Sequence, residues 1–349
     1  MLTEAKTILS EFEKRHILVV GDLMLDEYIW GRVDRISPEA PVIVVDVESS
    51  ESRPGGAANV ANNLRALGAK VSIAGVVGED DSGRALMSLM DNRTIDTSAV
   101  IVDGSRPTTK KTRIIAHSQQ VVRVDHESKD HLPKEISSKL ADLVTAKTAE
   151  VDAVLLSDYD KGVMAKGFVS RCVRAAGDRG LILIANPKPP NLRSFEGATV
   201  VMLNQSEARS ATNERLSTLA DVAAVGARLA SNLGVSAVVV TCGAQGLVVC
   251  PAKGPATPLP AVPIEVYDVA GAGDTVISVL TLALACRADL LYAAGLANCA
   301  GGAVVQKVGV ATVTTEEILE ILKRAQKMDK ERPHTGSRIG ADRGRSSNH

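Results

Sequence analysis

Ile17-Leu18-Val19-Val20-Gly21-Asp22 is a short, unbroken apolar run that closes on a glycine and a carboxylate. A run without polar alternation is what a strand buried on both faces of a parallel sheet looks like. Working outward, similar runs recur at 71–77, 153–157, 181–185, 200–203 and 237–241. Amphipathic helical stretches fall between them at 57–67, 84–90, 134–147, 163–176 and 218–232. Strand and helix in this alternation predict an α/β protein with a doubly wound sheet flanked by helices. Ligands of such sheets gather at the carboxyl ends of the strands.

Two segments break the rhythm. Residues 27–47 read as strand pieces around a loop with Pro38 and Pro41, and 106–126 alternate polar and apolar side chains. Neither carries a helix, so both are expected in a small antiparallel β lid. Such a lid closes over a site and excludes water, or serves as a dimer surface. No repeat or linker divides the body, which predicts one domain over 1–325. From about Gln326 the chain turns polar and aperiodic, as a disordered tail over 326–349 would.

Composition removes several function classes. A net charge of -1 and 2% aromatic residues argue against a nucleic-acid partner, which wants basic excess and stacking platforms. The most apolar stretch, 276–285, is too short to span a bilayer and contains Ser278 and Thr281. The N-terminus mixes Glu4, Lys6, Glu11 and Lys14 with apolar residues at helical spacing, unlike a signal peptide. Five widely spread cysteines form neither a disulfide framework nor a zinc set. The expectation is a cytoplasmic protein with no membrane partner.

The sharpest chemical signal is Asp268-Val269-Ala270-Gly271-Ala272-Gly273-Asp274-Thr275, followed directly by an apolar helix. Glycines before a helix let the backbone approach an anion, and the free N–H groups of the first turn favour negative charge. A carboxylate at the same spot can take a proton from an attacking hydroxyl. Phosphoryl transfer needs that combination. In isolation the octet reads equally well as a glycine-rich turn with Asp274 as N-cap.

With the rest of the chain the octet resembles the nucleotide-end signature of the ribokinase-like (PfkB) carbohydrate kinases. Further resemblances follow in order. Gly55-Gly56-Ala57-Ala58-Asn59 is similar to the family's di-glycine element, and Gly78 to Gly83 to the loop after it. Asn204-Gln205-Ser206-Glu207 is similar to its Asn-x-x-Glu element, and Thr241-Cys242-Gly243 with Gly246 to its turn near the nucleotide. Taken singly, the glycines would be turns, Asn204 and Glu207 a cap and a surface charge, and Gly243 and Gly246 a hairpin. The resemblance implies a ribokinase-like fold, ATP and Mg²⁺. It makes Asp274 the base and the Gly271, Ala272 and Gly273 amides the phosphoryl cradle. It places Asn204, Glu207, Thr241, Gly243, Gly246 and Asn298 at the nucleotide, with Glu207 reaching the metal through water.

Several stretches resemble the heptose 7-phosphate kinases of lipopolysaccharide-core synthesis: Gly21 to Asp26, Gly31 to Val42, Thr109 to Arg113, Gln119 to Asp125, Ser157 to Gly162 and Asn186 to Lys188. That implies a sugar-phosphate site of Asp22, Gly55, Gly56, Asn59, Lys111, Arg113, Gln120, Arg123, Asp158, Lys161 and Lys188. Cations in this number suit a phosphate dianion more than a neutral hexose, although a solvated lid face is the alternative. The reaction implied is phosphorylation of the heptose at O1. Many such relatives carry a C-terminal nucleotidyltransferase; none is expected here, and adenylyl transfer is expected of another protein. The resemblance also implies a homodimer through the lid. Departures are Ala270 for a usual Thr, Asp160 for Gly, Asn186 and Pro189 for Asp and Gly, and Gln205 for an apolar residue. Other sugars, or a silent sugar-phosphate sensor, remain alternatives.

Overall fold

The structure, a computed structural model, describes residues 2–117 and 119–331. In chain order the elements begin α1 (Leu2–Ser10), β1 (His16–Gly21), β2 (Leu23–Ile36), β3 (Ile43–Gly56), α2 (Ala57–Ala66), β4 (Lys70–Gly78), α3 (Asp81–Asp91) and β5 (Asp96–Asp103). Then come β6 (Thr109–Ala116), β7 (Gln119–His126), α4 (Lys134–Lys147), β8 (Ala153–Ser157), α5 (Lys166–Gly177), β9 (Ile182–Asn186) and β10 (Val200–Asn204). The chain continues through α6 (Gln205–Thr212), α7 (Leu219–Leu233), β11 (Ala237–Thr241), β12 (Leu247–Pro251) and β13 (Thr257–Leu259). It ends in α8 (Ala272–Ala285), α9 (Leu290–Val304) and α10 (Thr315–Glu331).

The run at Ile17 is the interior strand the sequence predicts. All of β1 is buried, and it pairs in parallel with β4 on one side and β8 on the other, Val19 lying opposite Ile73 and Leu155. The nine-stranded order is β13-β12-β11-β10-β9-β8-β1-β4-β5, antiparallel only at β12 and β13. From β1 the chain winds outward to β4 and β5, then returns to β8 and winds the other way. The direction of winding therefore reverses beside β1, where open α/β sheets leave a crevice.

Helices cover both faces. Val60, Leu64, Leu86, Leu280 and Leu296 pack one side, and Leu140, Val169, Val225 and Leu229 the other. From Thr275 onward every residue of α8 is buried, and its hydroxyls are satisfied locally: Ser278 donates to the Asp274 carbonyl at 2.6 Å, Thr281 to that of Ile277 at 2.7 Å. The stretch 276–285 is thus the middle of a core helix, and no described helix is long and apolar enough to cross a membrane.

The lid is a separate four-stranded sheet, β3-β2-β6-β7. It is mixed where the sequence predicts antiparallel, because β2 and β6 run parallel. The chain passes through α2, β4, α3 and β5 between β3 and β6, so β6 enters the lid from the same end as β2. The first lid segment also extends past residue 47, with Gly56 still paired to Leu23. At the other terminus α10 continues past Gln326 to Glu331, so helix replaces the start of the expected tail. Residues 332–349 lie outside the described residues.

Candidate active site

The carboxyl ends of the parallel strands form one edge: Gly21 is level with Ser157, Ser157 with Asn186, and Asn204 with Thr241. The chain just beyond these ends carries Asp22, Asp158, Lys188, Glu207 and Gly243, so one shelf gathers residues far apart in sequence.

Asp274 stands at this shelf, half-buried in the first turn of α8. It is not the N-cap; Gly271 is, at φ 76°, a conformation that suits glycine. Both carboxylate oxygens of Asp274 are held. Asn59 Nδ2 donates to Oδ2 at 2.6 Å and the Tyr159 hydroxyl to Oδ1 at 2.6 Å. The helix is pinned to α2 one residue later, where Thr275 Oγ1 donates to Asn63 Oδ1 at 2.9 Å. Burial raises the Asp274 carboxyl above the ordinary aspartate range, opposed by the Tyr159 and Asn59 donors and by the Lys188 ammonium. Of the three expected cradle amides, that of Ala272 already donates to the Val269 carbonyl at 3.2 Å. A Cβ built on Gly273 would meet nothing within 4 Å, so the space before the second turn-residue is open. The helix offers no acceptor to its first-turn amides, which leaves Gly273 and Asp274 as donors there.

Asp22 and Asp158, both expected at the sugar, are tied to backbone amides. Asp22 is buried and accepts from the backbone N–H groups of Tyr159 (2.7 Å), Lys161 (3.2 Å) and Val163 (3.3 Å). Burial pushes its carboxyl up to about 6 against those bonds. Asp158, also buried, accepts from the amides of Asp160 and Lys188 and from Asn191 Nδ2. Together they anchor the loop that follows β8. The di-glycine is explained by close approach: a Cβ on Gly55 would lie 2.5 Å from Asp26 Oδ2, and one on Gly56 2.6 Å from the Asp22 carbonyl.

Between the lid and the loop before α8 lies a cavity of about 790 Å³, lined by Tyr28, Arg32, Arg53, Arg113, His117, Gln120, Asp268 and Ala270 among others. Arg113 bonds Asp26 at 2.6 Å, and the Arg53 and Arg113 guanidiniums each lie 5.2 Å from the Tyr28 ring centroid, within cation–π range. Of the five cations expected at a sugar phosphate, Arg113 alone lines this cavity. Lys111 is bound to Asp125 and Glu127, Arg123 to Asp125, and Lys161 to Glu127, so each has an acidic partner. Lys188 pairs with Glu207 at 2.6 Å and lies 5.2 Å from the Tyr159 ring, away from the lid strands. Sequence reasoning missed Arg53, whose signal was its place two residues before the di-glycine, and Tyr159, which touches Asp274.

On the other side, Asn204 and Glu207 form a capping box: Asn204 Oδ1 accepts from the Glu207 amide at 2.8 Å, and Glu207 Oε2 from the Asn204 amide at 2.9 Å. Glu207 is buried and paired with Lys188, so it is no surface charge. Thr241 is level with Asn204, and the next residues turn β11 into β12, with Gly243 at φ 56° and Gly246 at φ 92°. Asn298 Nδ2 donates to the Pro260 carbonyl at 2.8 Å, beside a smaller cavity of about 280 Å³ that also includes Leu259, Tyr292 and Leu322. Among the described residues no three His, Cys, Asp or Glu could hold a metal ion. Each Glu207 oxygen accepts one hydrogen bond, from Lys188 or from the Asn204 amide, and keeps a second lone-pair site.

The departures have local accounts. Asp160 sits at φ 58°, the left-handed region where glycine is favoured. Asn186 donates to the Met202 carbonyl of the neighbouring strand and Gln205 to that of Leu216 in the loop before α7, both at 2.9 Å, so each satisfies a backbone carbonyl. Pro189 starts the 3₁₀ turn Pro189–Phe195. The Ala270 amide is held by Asp268 Oδ1 at 2.9 Å, so the turn keeps a hydrogen bond without a side-chain hydroxyl at 270.

Among solved structures the chain is similar to phosphofructokinase-2 from Escherichia coli in complex with fructose-6-phosphate (TM-score 0.71, 19% identity, 89% of this chain and 98% of that one). It is similar also to ribokinase of Arabidopsis thaliana complexed with ribose and ATP (TM-score 0.71, 18% identity, 88% and 99%). These likenesses show a ribokinase-like fold. Curated relatives include the bifunctional protein HldE of Geobacter metallireducens, 41% identical over 302 residues, which are 86% of this chain and 62% of that protein. The HldE of Helicobacter pylori is 41% identical over 310 residues, 89% of this chain and 67% of that protein. The chain thus spans about two thirds of the length of these relatives. The family model for pfkB family carbohydrate kinases matches residues 14–317, over the main sheet, the lid and the Asp274 turn alike; the chain belongs to that family and is a sugar kinase.

Proposed function

We propose that the chain transfers the γ-phosphoryl group of ATP to O1 of D-glycero-β-D-manno-heptose 7-phosphate, giving the 1,7-bisphosphate that feeds ADP-heptose and lipopolysaccharide-core synthesis. The observation that carries the substrate is the arginine-lined cavity under the lid. Arg53 and Arg113 stand over the Tyr28 ring, and Asp268 and Ala270, just before the cradle, line the same cavity. Both guanidiniums are paired in the structure, Arg53 with Glu51 and Arg113 with Asp26, and a phosphate dianion on the sugar would compete for them. Bidentate guanidinium contacts bind a phosphate dianion by charge-assisted hydrogen bonds. Resemblance of the lid segments to heptose 7-phosphate kinases supports the same reading.

In this mechanism Asp274 accepts the proton of the anomeric hydroxyl as its oxygen attacks the γ-phosphorus. The Gly273 and Asp274 amides, at the positive end of α8, hold the transferring group, and ADP leaves. Mg²⁺ brought with ATP would supply charge neutralisation, and Glu207 would hold it through water. Asp22, Asp158 and Lys188 act from behind, through the loop after β8. We place the protein in the cytoplasm and as a homodimer through the lid.

A substrate panel read by coupled ADP release tests the proposal, with Arg113→Ala alongside. Heptose 7-phosphate is expected to give the highest kcat/KM, and the variant to raise its KM about tenfold with little change for ATP. Saturation by free ribose or fructose with indifference to the heptose phosphate would replace the substrate. Binding without turnover of any sugar would point to a silent sensor.

A further inference from the structure

The structure carries a tyrosine that the sequence motifs leave without a role. Tyr159 donates its hydroxyl to Asp274 Oδ1 at 2.6 Å, while Asn59 holds Oδ2 at the same distance. We propose that Tyr159 is a positioning residue of the catalytic base, fixing the plane of the Asp274 carboxylate so that a free lone pair faces the acceptor hydroxyl. The inference rests on the reading of Asp274 as base and does not depend on which sugar is bound.

The argument is one of constraint. An aspartate has a torsion at its carboxylate that is broad and poorly restrained. Two donors on opposite oxygens remove that freedom, yet each oxygen keeps a second lone-pair site, so acceptance of a proton is not blocked. Asn59 comes from α2 and Tyr159 from the far side of β1, so the carboxylate is gripped from both sides of the winding reversal.

Tyr159 is itself held on three sides. Its amide donates to buried Asp22 at 2.7 Å, and the neighbouring Asp158 is locked by the Lys188 amide and Asn191. The Lys188 ammonium lies 5.2 Å from its ring, and that ammonium is in turn fixed by Glu207. Arg106 adds a tie at 2.7 Å to the Lys161 carbonyl, two residues on. The two buried carboxylates at the strand ends thus form the foundation of a post whose tip touches the base. Effective catalysis is sensitive to such small placements.

The charged and titratable groups acting on Asp274 are Tyr159 and Lys188 from the shelf and Asp26 from β2, the last bound to Arg113. Losing the tyrosine donor would disfavour the ionised carboxylate, so its titration would move to higher pH. A residue that merely filled space would not move that titration.

The test is Tyr159→Phe in the full chain, assayed with ATP, Mg²⁺ and whichever sugar of the panel the parent turns over. The expected result is kcat lowered at least ~10-fold with both KM values within about twofold, and an acid limb of kcat moved up by at least ~0.5 pH unit. An unchanged melting temperature shows that the variant folds. If kcat and the acid limb match the parent, or if KM rises with no movement of the limb, the proposal is overturned. Asp274→Asn separates the two levels: near-parental turnover in that variant would remove the base itself. Its inactivity beside a parental Tyr159→Phe would remove the tyrosine's role alone.

Discussion

At the scale of single residues the proposed chemistry rests on Asp274, whose surroundings push it in two directions. Burial raises its carboxyl above the ordinary value near 3.8, and two short hydrogen bonds pull it back. The base must be ionised to work, so activity is present above its folded titration point and lost as pH falls through it. Because that point is raised, kcat is expected to fail at a higher pH than an ordinary aspartate would allow, which a pH profile between about 4 and 9 will show. Asp274→Asn is expected to lower kcat at least ~10²-fold with ATP affinity kept, checked by single-turnover assay and calorimetry. Turnover near the parent's would end its candidacy. Asp274 and Asn59 were legible as motif residues, but their contact, across 215 positions of sequence, was not.

At the scale of elements, the strand ends and helix starts do the placing. The β3-to-α2 junction shows why: Gly56 is the N-cap of α2 at φ 56°, and the Ala57 amide donates to the Asp22 carbonyl at 3.0 Å. Gly56→Ala would add left-handed strain and a clash 2.6 Å from that carbonyl, and is expected to destabilise the fold by roughly 1–3 kcal/mol, read by chemical denaturation. A loss within experimental error would mean that the junction relaxes freely. The glycine pair was readable in sequence as a turn. That the turn abuts Asp22, just past β1, and Asp26 of β2 was not, because both contacts are made by tertiary packing. Likewise the capping box at Asn204 was foreseen as a cap, whereas burial of Glu207 against Lys188 depends on β9 and β10 lying side by side.

At the scale of the molecule, the lid leaves apolar side chains without cover. Ile36, Val42, Ile43 and Val47 are exposed at one edge, and Val121, Val122 and Val124 at the other, an arrangement that large apolar residues rarely keep on a monomer. The parent is expected to sediment as a dimer, and Ile43→Glu combined with Val47→Glu as a monomer. A monomeric parent at the same concentration would dissociate the lid from assembly. The lid also governs electrostatics: its acidic side chains Asp125 and Glu127 neutralise Lys111, Arg123 and Lys161. The sequence shows the cations but not these partners.

By itself the sequence determined the local periodicities, and through them the parallel core, the helical layers and the glycine-rich start of α8, because hydrophobic spacing and backbone freedom act over a few residues. It also carried the family motifs in order. The tertiary structure alone decided which charges are free. That Arg113 meets both a cavity and Asp26, and Asp22 three backbone amides, depends on partners brought near from distant sequence, and the low-dielectric interior makes those pairings decisive.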